Sequence, residues 1–175
     1  MKNQIRRQML QKRSQVCEQE KFLAGEKVFE NLLNIPEFVS SKSCFCYVDF
    51  KNEIPTQKVR DFFSQRELVV PKIDGEMHAV KQVSGTEKNI YGIDEPKEYE
   101  IYEKCPDISI IPLVACDKKG NRIGFGKGYY DRYLRGKETL KIGVCYDFQV
   151  LESVPSEEQD IALDYIVTEK EIIKV

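Results

Sequence analysis

The sequence contains no tryptophan and a single histidine, His78, among its 175 residues. One histidine cannot complete a His-rich metal site, and its scarcity counts against hydrolases that depend on a histidine base. No apolar run approaches the roughly 18 residues needed to span a bilayer. The basic N-terminal stretch MKNQIRRQMLQKRS lacks the apolar core of a signal peptide. We therefore predict a cytoplasmic protein without a membrane partner.

An excess of charge of either sign is also missing. The chain has 27 Lys and Arg against 29 Asp and Glu, with a net charge of -2 and a pI of about 5.7. This balance argues against nucleic acid as a partner, although a local basic cluster could still hold phosphates. The six cysteines include no C-x-x-C pair. They indicate reduced, mostly buried thiols rather than a disulfide or metal framework.

Strand and helix patterns alternate along the chain. Helical spacing of apolar residues is found at about 5–16, 22–33, 56–65 and 129–136. Strand patterns occupy 43–50, 67–73, 77–83, 107–115, 140–146 and 163–169, and the polar stretch 84–106 is predicted to be irregular. This alternation predicts one α/β domain over residues 1–175, with a mainly parallel sheet covered on both faces. Ligands of such sheets bind beyond the carboxyl ends of the strands.

The stretch IPLVACDKKGNRIGFGKGYYDRYL, residues 111–134, places Gly124, Gly126 and Gly128 around Lys127. Glycines let backbone N–H groups approach an anion without interference from a Cβ atom, and a helix beginning just afterward adds to the attraction. The spacing matches neither the common phosphate loop nor the dinucleotide loop. A hairpin turn in a tight packing corner is the alternative interpretation.

Charged residues flank these glycines in a way that favours a nucleotide-phosphate site. Lys127 and Arg122 supply positive charge for phosphate oxygens. Asp131, a short step into the predicted helix, could receive a divalent ion whose other ligands are water and phosphate, as is usual for magnesium.

This segment closely resembles the signature of the 5-formyltetrahydrofolate cyclo-ligase family, also called methenyltetrahydrofolate synthetases. Supporting matches occur in the expected order at MKNQIRRQM, YVDFKNEIPT, VVPKI, YGIDEP and VPSEEQDIALDYIVTE. The resemblance implies a three-layer αβα domain like that of sugar-phosphate isomerases and CoA transferases, and a monomer. It also implies conversion of 5-formyltetrahydrofolate and ATP, with Mg²⁺, to 5,10-methenyltetrahydrofolate, ADP and phosphate. The formyl oxygen would be phosphorylated before the folate N10 closes the ring.

The resemblance also implies roles for individual residues. Lys127 and Tyr129 would be catalytic, and Asp131 and Asp164 would bind the metal. The ATP-binding residues would be Lys2, Arg6, Arg122, Ile123, Gly124, Phe125, Gly126, Lys127, Gly128, Tyr129 and Tyr130. The folate-binding residues would be Val48, Glu53, Phe125, Gly126, Lys127, Gly128 and Tyr129. Tyr129 could stack on the pteridine ring, and the Glu53 carboxylate could accept two hydrogen bonds from it.

Several of these residues have plain structural interpretations when taken alone. Lys2 and Arg6 would lie on a solvated helix face, Glu53 on the surface and Val48 in the core. Asp164 would be a turn or cap residue.

Two positions depart from the family pattern. Cys116 stands where relatives usually carry a larger aromatic residue, and Gln159 stands where many have histidine. Two rival functions remain open: a small-molecule kinase, and a non-catalytic folate- or nucleotide-binding paralogue. The paralogue predicts loss of Lys127, Asp131 or Asp164, and all three are present.

Overall fold

An eight-stranded sheet forms the centre of the computed structural model, which describes residues 1–175. The helices are α1 (Lys2–Ser14), α2 (Glu18–Leu32), α3 (Pro36–Ser40), α4 (Gln57–Phe63) and α5 (Tyr129–Leu134). The strands are β1 (Ser43–Cys46), β2 (Glu67–Asp74), β3 (Glu76–Lys88), β4 (Asp94–Ile101), β5 (Ile108–Pro112), β6 (Ala115–Asp117), β7 (Arg122–Ile123), β8 (Leu140–Val144), β9 (Val150–Leu151), β10 (Tyr165–Val167) and β11 (Ile172–Lys174). No helix has both the length and the apolar composition to cross a membrane.

The large sheet has the strand order β11-β10-β8-β5-β1-β2-β3-β4. The five central strands, from β10 to β2, are parallel to one another, and the outer strands β11, β3 and β4 join antiparallel. A small second sheet has the order β7-β6-β9. The prediction of a mainly parallel sheet is confirmed.

Helices cover both faces of this sheet because its central strands carry apolar side chains on both sides. On one face Cys44 and Ile110 pack with α2, α3 and α4. On the other face Phe45 and Ile111 pack with side chains of α5. Helix α1 places Met9 against Ile123 of the small sheet. The first turn of α1 is thereby held close to the segment that follows β7.

Three predictions for the strands were wrong in extent. The strand predicted over 43–50 ends at Cys46, and residues 47–50 belong to the loop that follows it. The stretch 84–106 is not irregular, because β3 continues to Lys88 and pairs with β4 as a long antiparallel hairpin. The predicted strand 107–115 is two strands, since the chain leaves the large sheet after Pro112 and Val114 N–H bonds to the Ile123 carbonyl. His78 lies in β3 as predicted. All six cysteines are free, and four of them are buried.

Candidate active site

A cavity of about 1490 Å³ lies where the chain leaves the carboxyl ends of β1 and β5. The residues that line it come mainly from five parts of the chain: helix α1 along its length, the loop 47–53, the strands β2 to β4 with the β3–β4 hairpin tip, the segment 122–135 and the loop 155–160. Every residue predicted for the ATP and folate sites lines this cavity, and so does Asp131. Asp164 does not.

The glycine segment reaches the cavity through a β6–β7 hairpin. Its turn is fixed because the Asp117 carboxylate accepts hydrogen bonds from the backbone N–H groups of Lys119 and Asn121. Beyond β7, Gly126 and Gly128 have φ of 96° and 66°, a region that side chains rarely adopt. The hairpin turn and the open glycine segment are therefore consecutive, and the two interpretations of the sequence describe different residues.

Basic residues of α1 lie against the glycine segment. Arg6 Nε donates to the Gly124 carbonyl at 2.8 Å. Lys2 Nζ contacts Asp160 Oδ2 at 2.6 Å and Glu157 Oε1 at 2.9 Å. Burial alone would lower the pKa of Lys2, but the hydrogen bonds and charges of these two carboxylates outweigh it and raise the pKa. Lys2 and Arg6 are thus part of the cavity wall and not of a solvated helix face.

The buried Arg122 and the partly exposed Asp131 form an ion pair in the same wall, with Arg122 NH2 at 2.7 Å from Asp131 Oδ1. The Ile161 N–H also donates to Oδ1, at 3.1 Å. Both hydrogen bonds to the Asp131 carboxylate end on Oδ1, and Oδ2 accepts none. The Nε of Arg122 is buried without a partner. Oδ2 of Asp131 is therefore left as an acceptor for a ligand.

The structure does not bring Asp164 into the cavity with Asp131. Asp164 directly precedes β10, and its Oδ2 is held by the Lys141 N–H at 2.7 Å and the Lys141 Nζ at 2.9 Å. No group of three or more acidic, histidine or cysteine side chains is arranged to hold a metal ion. The metal role predicted for Asp164 therefore has no support in the geometry.

Glu53 is buried in the loop that follows β1. The Phe50 N–H donates to its Oε2 at 2.9 Å, and no cation lies within ion-pair distance. Burial raises the pKa of Glu53 to about 7, although the charge of Arg13 and the Phe50 hydrogen bond oppose the rise. The surface position that Glu53 would have as an isolated residue is not observed. Val48, in the same loop, also lines the cavity.

Lys127 is exposed to the cavity opening and forms no ion pair. Its carbonyl accepts a hydrogen bond from Arg132 NH1 at 2.9 Å, which fixes the backbone and leaves the ammonium group free. The side chain can therefore respond to a bound anion without first breaking an internal contact.

Sequence reasoning missed the contribution of the β3–β4 hairpin. Its tip places Asn89, Tyr91, Ile93 and Glu95 in the cavity. The hydroxyl groups of Tyr91 and Tyr129 lie 3.0 Å apart, and this hydrogen bond raises the pKa of Tyr129. In the sequence, only the stretch YGIDEP, residues 91–96, pointed to a functional role for this region, through the family resemblance. The composition of that stretch does not indicate that it lines a cavity. Arg13, Glu157 and Asp160 were likewise missed.

The fold and the site define an α/β protein with a cavity, lined by basic residues and glycines, at the carboxyl ends of parallel strands. Within that class, the chain belongs to the 5-formyltetrahydrofolate cyclo-ligase family, whose model matches residues 1–169. This membership confirms the family, the ligase class and the folate link that the glycine segment predicted.

Relatives resemble the chain over nearly its whole length. A 5-formyltetrahydrofolate cyclo-ligase of Mycoplasma genitalium is 34% identical, over 95% of this chain and 96% of that protein. The Aquifex aeolicus 5,10-methenyltetrahydrofolate synthetase structure superposes with a TM-score of 0.87 at 36% identity, covering 99% of this chain and 92% of that one. The synthetase from Mycoplasma pneumoniae gives 0.76 at 30% identity, with 96% and 98% covered. The α/β fold class is confirmed by these structures.

Proposed function

We propose that the chain catalyses the ATP-dependent conversion of 5-formyltetrahydrofolate to 5,10-methenyltetrahydrofolate, with release of ADP and phosphate. The observation that supports the proposal is that one cavity has both a basic, glycine-lined wall and a buried carboxylate. Lys2, Arg6 and the glycine segment form a wall suited to phosphates, and the buried carboxylate of Glu53 lines the same cavity. A nucleotide and a folate can therefore lie side by side.

The chemistry requires positioning and charge neutralisation more than a side-chain nucleophile. An N-formyl group is a poor electrophile because its nitrogen donates into the carbonyl. Transfer of the γ-phosphoryl group to the formyl oxygen makes that oxygen a leaving group, and N10 of the folate then attacks the formyl carbon. The ring closes as phosphate leaves, and the proton of N10 departs with the phosphate. In this scheme Lys127 offsets charge on the transferred phosphoryl group, while Tyr129 holds the folate against it.

The residues present fit a magnesium ion held mainly by phosphates. Mg²⁺ usually takes one or two carboxylates and fills its remaining positions with water and phosphate oxygens. Asp131 fits this arrangement because its Oδ2 is free of hydrogen bonds and the residue lines the cavity. The ion would neutralise charge on the ATP phosphates. Arg122, paired to Asp131 Oδ1, would orient that carboxylate.

The reaction is tested by the near-ultraviolet absorbance of purified protein mixed with 5-formyltetrahydrofolate, ATP and Mg²⁺. The methenyl product is a conjugated amidinium whose absorbance differs from that of the substrate, and we expect a rise that requires ATP. A stable phosphorylated folate without that rise would instead identify a small-molecule kinase. Folate binding without ATP turnover would identify a non-catalytic paralogue.

The role of Lys127 is tested by Lys127→Ala. We expect turnover to fall on the order of a hundredfold or more, since the positive charge that offsets the transferred phosphoryl group in the transition state is lost. The free energy of unfolding should change by less than about 0.5 kcal/mol, because the side chain is exposed. Lys119→Ala is the matched control: Lys119 is an exposed lysine in the β6–β7 turn and lies outside the cavity. Equal kinetics in the two variants would remove the phosphate role from Lys127.

A further inference from the structure

Arg13 and Glu53 differ from the other buried charged residues of the chain. Lys72 and Arg122 are each within ion-pair distance of a carboxylate, and the buried Asp117 accepts several hydrogen bonds. Arg13 and Glu53 are only 5% and 7% exposed, and neither has an ion-pair partner within 4 Å. Both line the same cavity. A buried charge without a partner is costly, and a ligand that supplies one removes the cost.

Most N–H donors of the Arg13 guanidinium have no hydrogen-bond acceptor in the protein. Its one hydrogen bond runs from NH1 to the Leu113 carbonyl at 3.5 Å, which is long for such a bond. A guanidinium carries five N–H donors in a planar fork. The group also lies 5.4 Å from the ring centre of Phe125, a residue of the glycine segment. Arg13 is thereby held beside the cavity by an aromatic face that leaves donors unused.

The loop that carries Glu53 is attached to the end of α1 that carries Arg13. The side chain of Asn52 donates to the carbonyls of Arg13 at 2.9 Å and Val16 at 3.1 Å. The charge of Arg13 is also the strongest of the effects that oppose the raised pKa of Glu53. The two side chains are therefore neighbours that face one ligand space without closing on each other.

We propose that Arg13 determines folate specificity by donating to the C4 carbonyl oxygen of the pterin while Glu53 accepts from N3–H and the 2-amino group. The inference rests on the proposed function. The edge of a pterin presents two donors and then an acceptor, in the order 2-amino, N3–H, O4. A carboxylate matches the two donors, and an adjacent guanidinium matches the acceptor. Glu53 alone would leave the carbonyl oxygen without a charged donor.

A change in the ligand at one atom tests this assignment. Calorimetric titration without ATP would compare 5-formyltetrahydrofolate with its 4-thioxo analogue, in which a weakly accepting sulfur replaces O4 and the N3–H donor is kept. We expect the unaltered protein to prefer the 4-oxo compound by about tenfold or more, because sulfur is a poor acceptor for the Arg13 guanidinium while the Glu53 contacts are unchanged. In Arg13→Met the preference should fall to about twofold. Arg7→Met is the matched control, because Arg7 is exposed on the same helix and lies outside the cavity.

Each outcome decides the proposal. A preference that survives in folded Arg13→Met, or that is absent from the unaltered protein, overturns it. If Arg13→Met does not fold, Arg13→Lys replaces it, and an unchanged preference in that variant counts against the planar guanidinium contact. Protein that binds 5-formyltetrahydrofolate with the expected preference but forms no methenyl product retains the Arg13 assignment and refutes the reaction. Protein that binds neither ligand refutes both.

Discussion

Glu53 is the carboxylate whose burial changes its ionisation most clearly. In the unfolded chain its pKa is near 4.5, whereas burial raises it to about 7 in the folded protein. The stability from this group is thus fully present below pH 4.5 and is lost as the pH rises through about 7. The ionised form of Glu53 is the better acceptor for a pterin. In the ligand-free protein, ionisation of this buried group costs free energy, and hydrogen bonds from a bound pterin would offset that cost.

Glu53→Gln should remove this pH dependence. Between pH 4.5 and 7 we expect the variant to become progressively more stable than the unaltered protein, with the difference levelling off above pH 7 at no more than about 3 kcal/mol. Urea unfolding without ligand, at several pH values from 4.5 to 8, measures this difference. Glu138→Gln is the control, since Glu138 is exposed and forms no ion pair. A difference that stays flat across this range would contradict the assignment of the raised pKa to Glu53.

Single residues show where sequence reasoning succeeded and where it stopped. The glycine segment could be assigned because its spacing is unusual and its charges are local, and it does line the cavity. Arg13 could not be selected, because the sequence shows it as one of five basic residues along α1. Its burial depends on Phe125 and Leu113, which come from distant parts of the chain.

At the scale of elements, a network of hydrogen bonds supports the tip of the β3–β4 hairpin. Glu95 Oε1 accepts hydrogen bonds from Ile73 N–H at 3.0 Å and Asn89 Nδ2 at 2.7 Å. Asn89 Oδ1 in turn accepts from the N–H groups of Tyr91 at 2.9 Å and Ile93 at 3.1 Å. This network fixes the hairpin tip and sets the Tyr91 hydroxyl beside that of Tyr129.

Asn89→Ala should loosen the tip without unfolding the protein. We expect KM for 5-formyltetrahydrofolate to rise several-fold while KM for ATP stays within about twofold, because the tip borders Tyr129 and not the basic residues of α1. Steady-state kinetics with each substrate varied in turn would measure both values. Asn34→Ala, at an exposed site beyond the end of α2, controls for the loss of an amide. Equal rises in both KM values would contradict the prediction, because the hairpin tip would then not act on the folate side of the cavity alone.

The hairpin was also the largest element that sequence reasoning missed, for physical reasons. Gly85, Gly92 and Pro96 are common in turns and loops, which made the region read as irregular. In the structure, Gly85 has φ of 60° just after the register shift in β3, and Gly92 has φ of 81° in the turn. Pro96 lies in β4, an edge strand where a missing N–H is tolerated. The strands at the centre of the sheet were predicted correctly in kind, because each is a short run of apolar residues that is typical of a buried strand.

At the scale of the whole molecule, contacts between remote parts of the chain hold the wall of the cavity together. Lys2 and Asp160, 158 residues apart, form an ion pair in that wall. Arg6 ties the same helix to the glycine segment. No local pattern could have predicted these contacts, because each depends on how the sheet brings remote loops to one edge. Bound phosphates would add further links between these parts.

Nucleotide binding should therefore stabilise the whole fold through α1. With Mg²⁺ present and ADP at about one hundred times its dissociation constant, linkage predicts about 2.7 kcal/mol, or roughly 5–10 °C in Tm for a chain of this size. In Lys2→Ala and Arg6→Ala we expect the shift, at the same ADP concentration, to shrink by half or more. The comparison uses each variant's own ligand-free Tm, since Lys2→Ala also removes ion pairs. Lys12→Ala, an exposed position on α1 outside the cavity, should retain the full shift. If both cavity variants also kept the full shift, α1 would be a structural cover, and the phosphates would be held by the glycine segment alone.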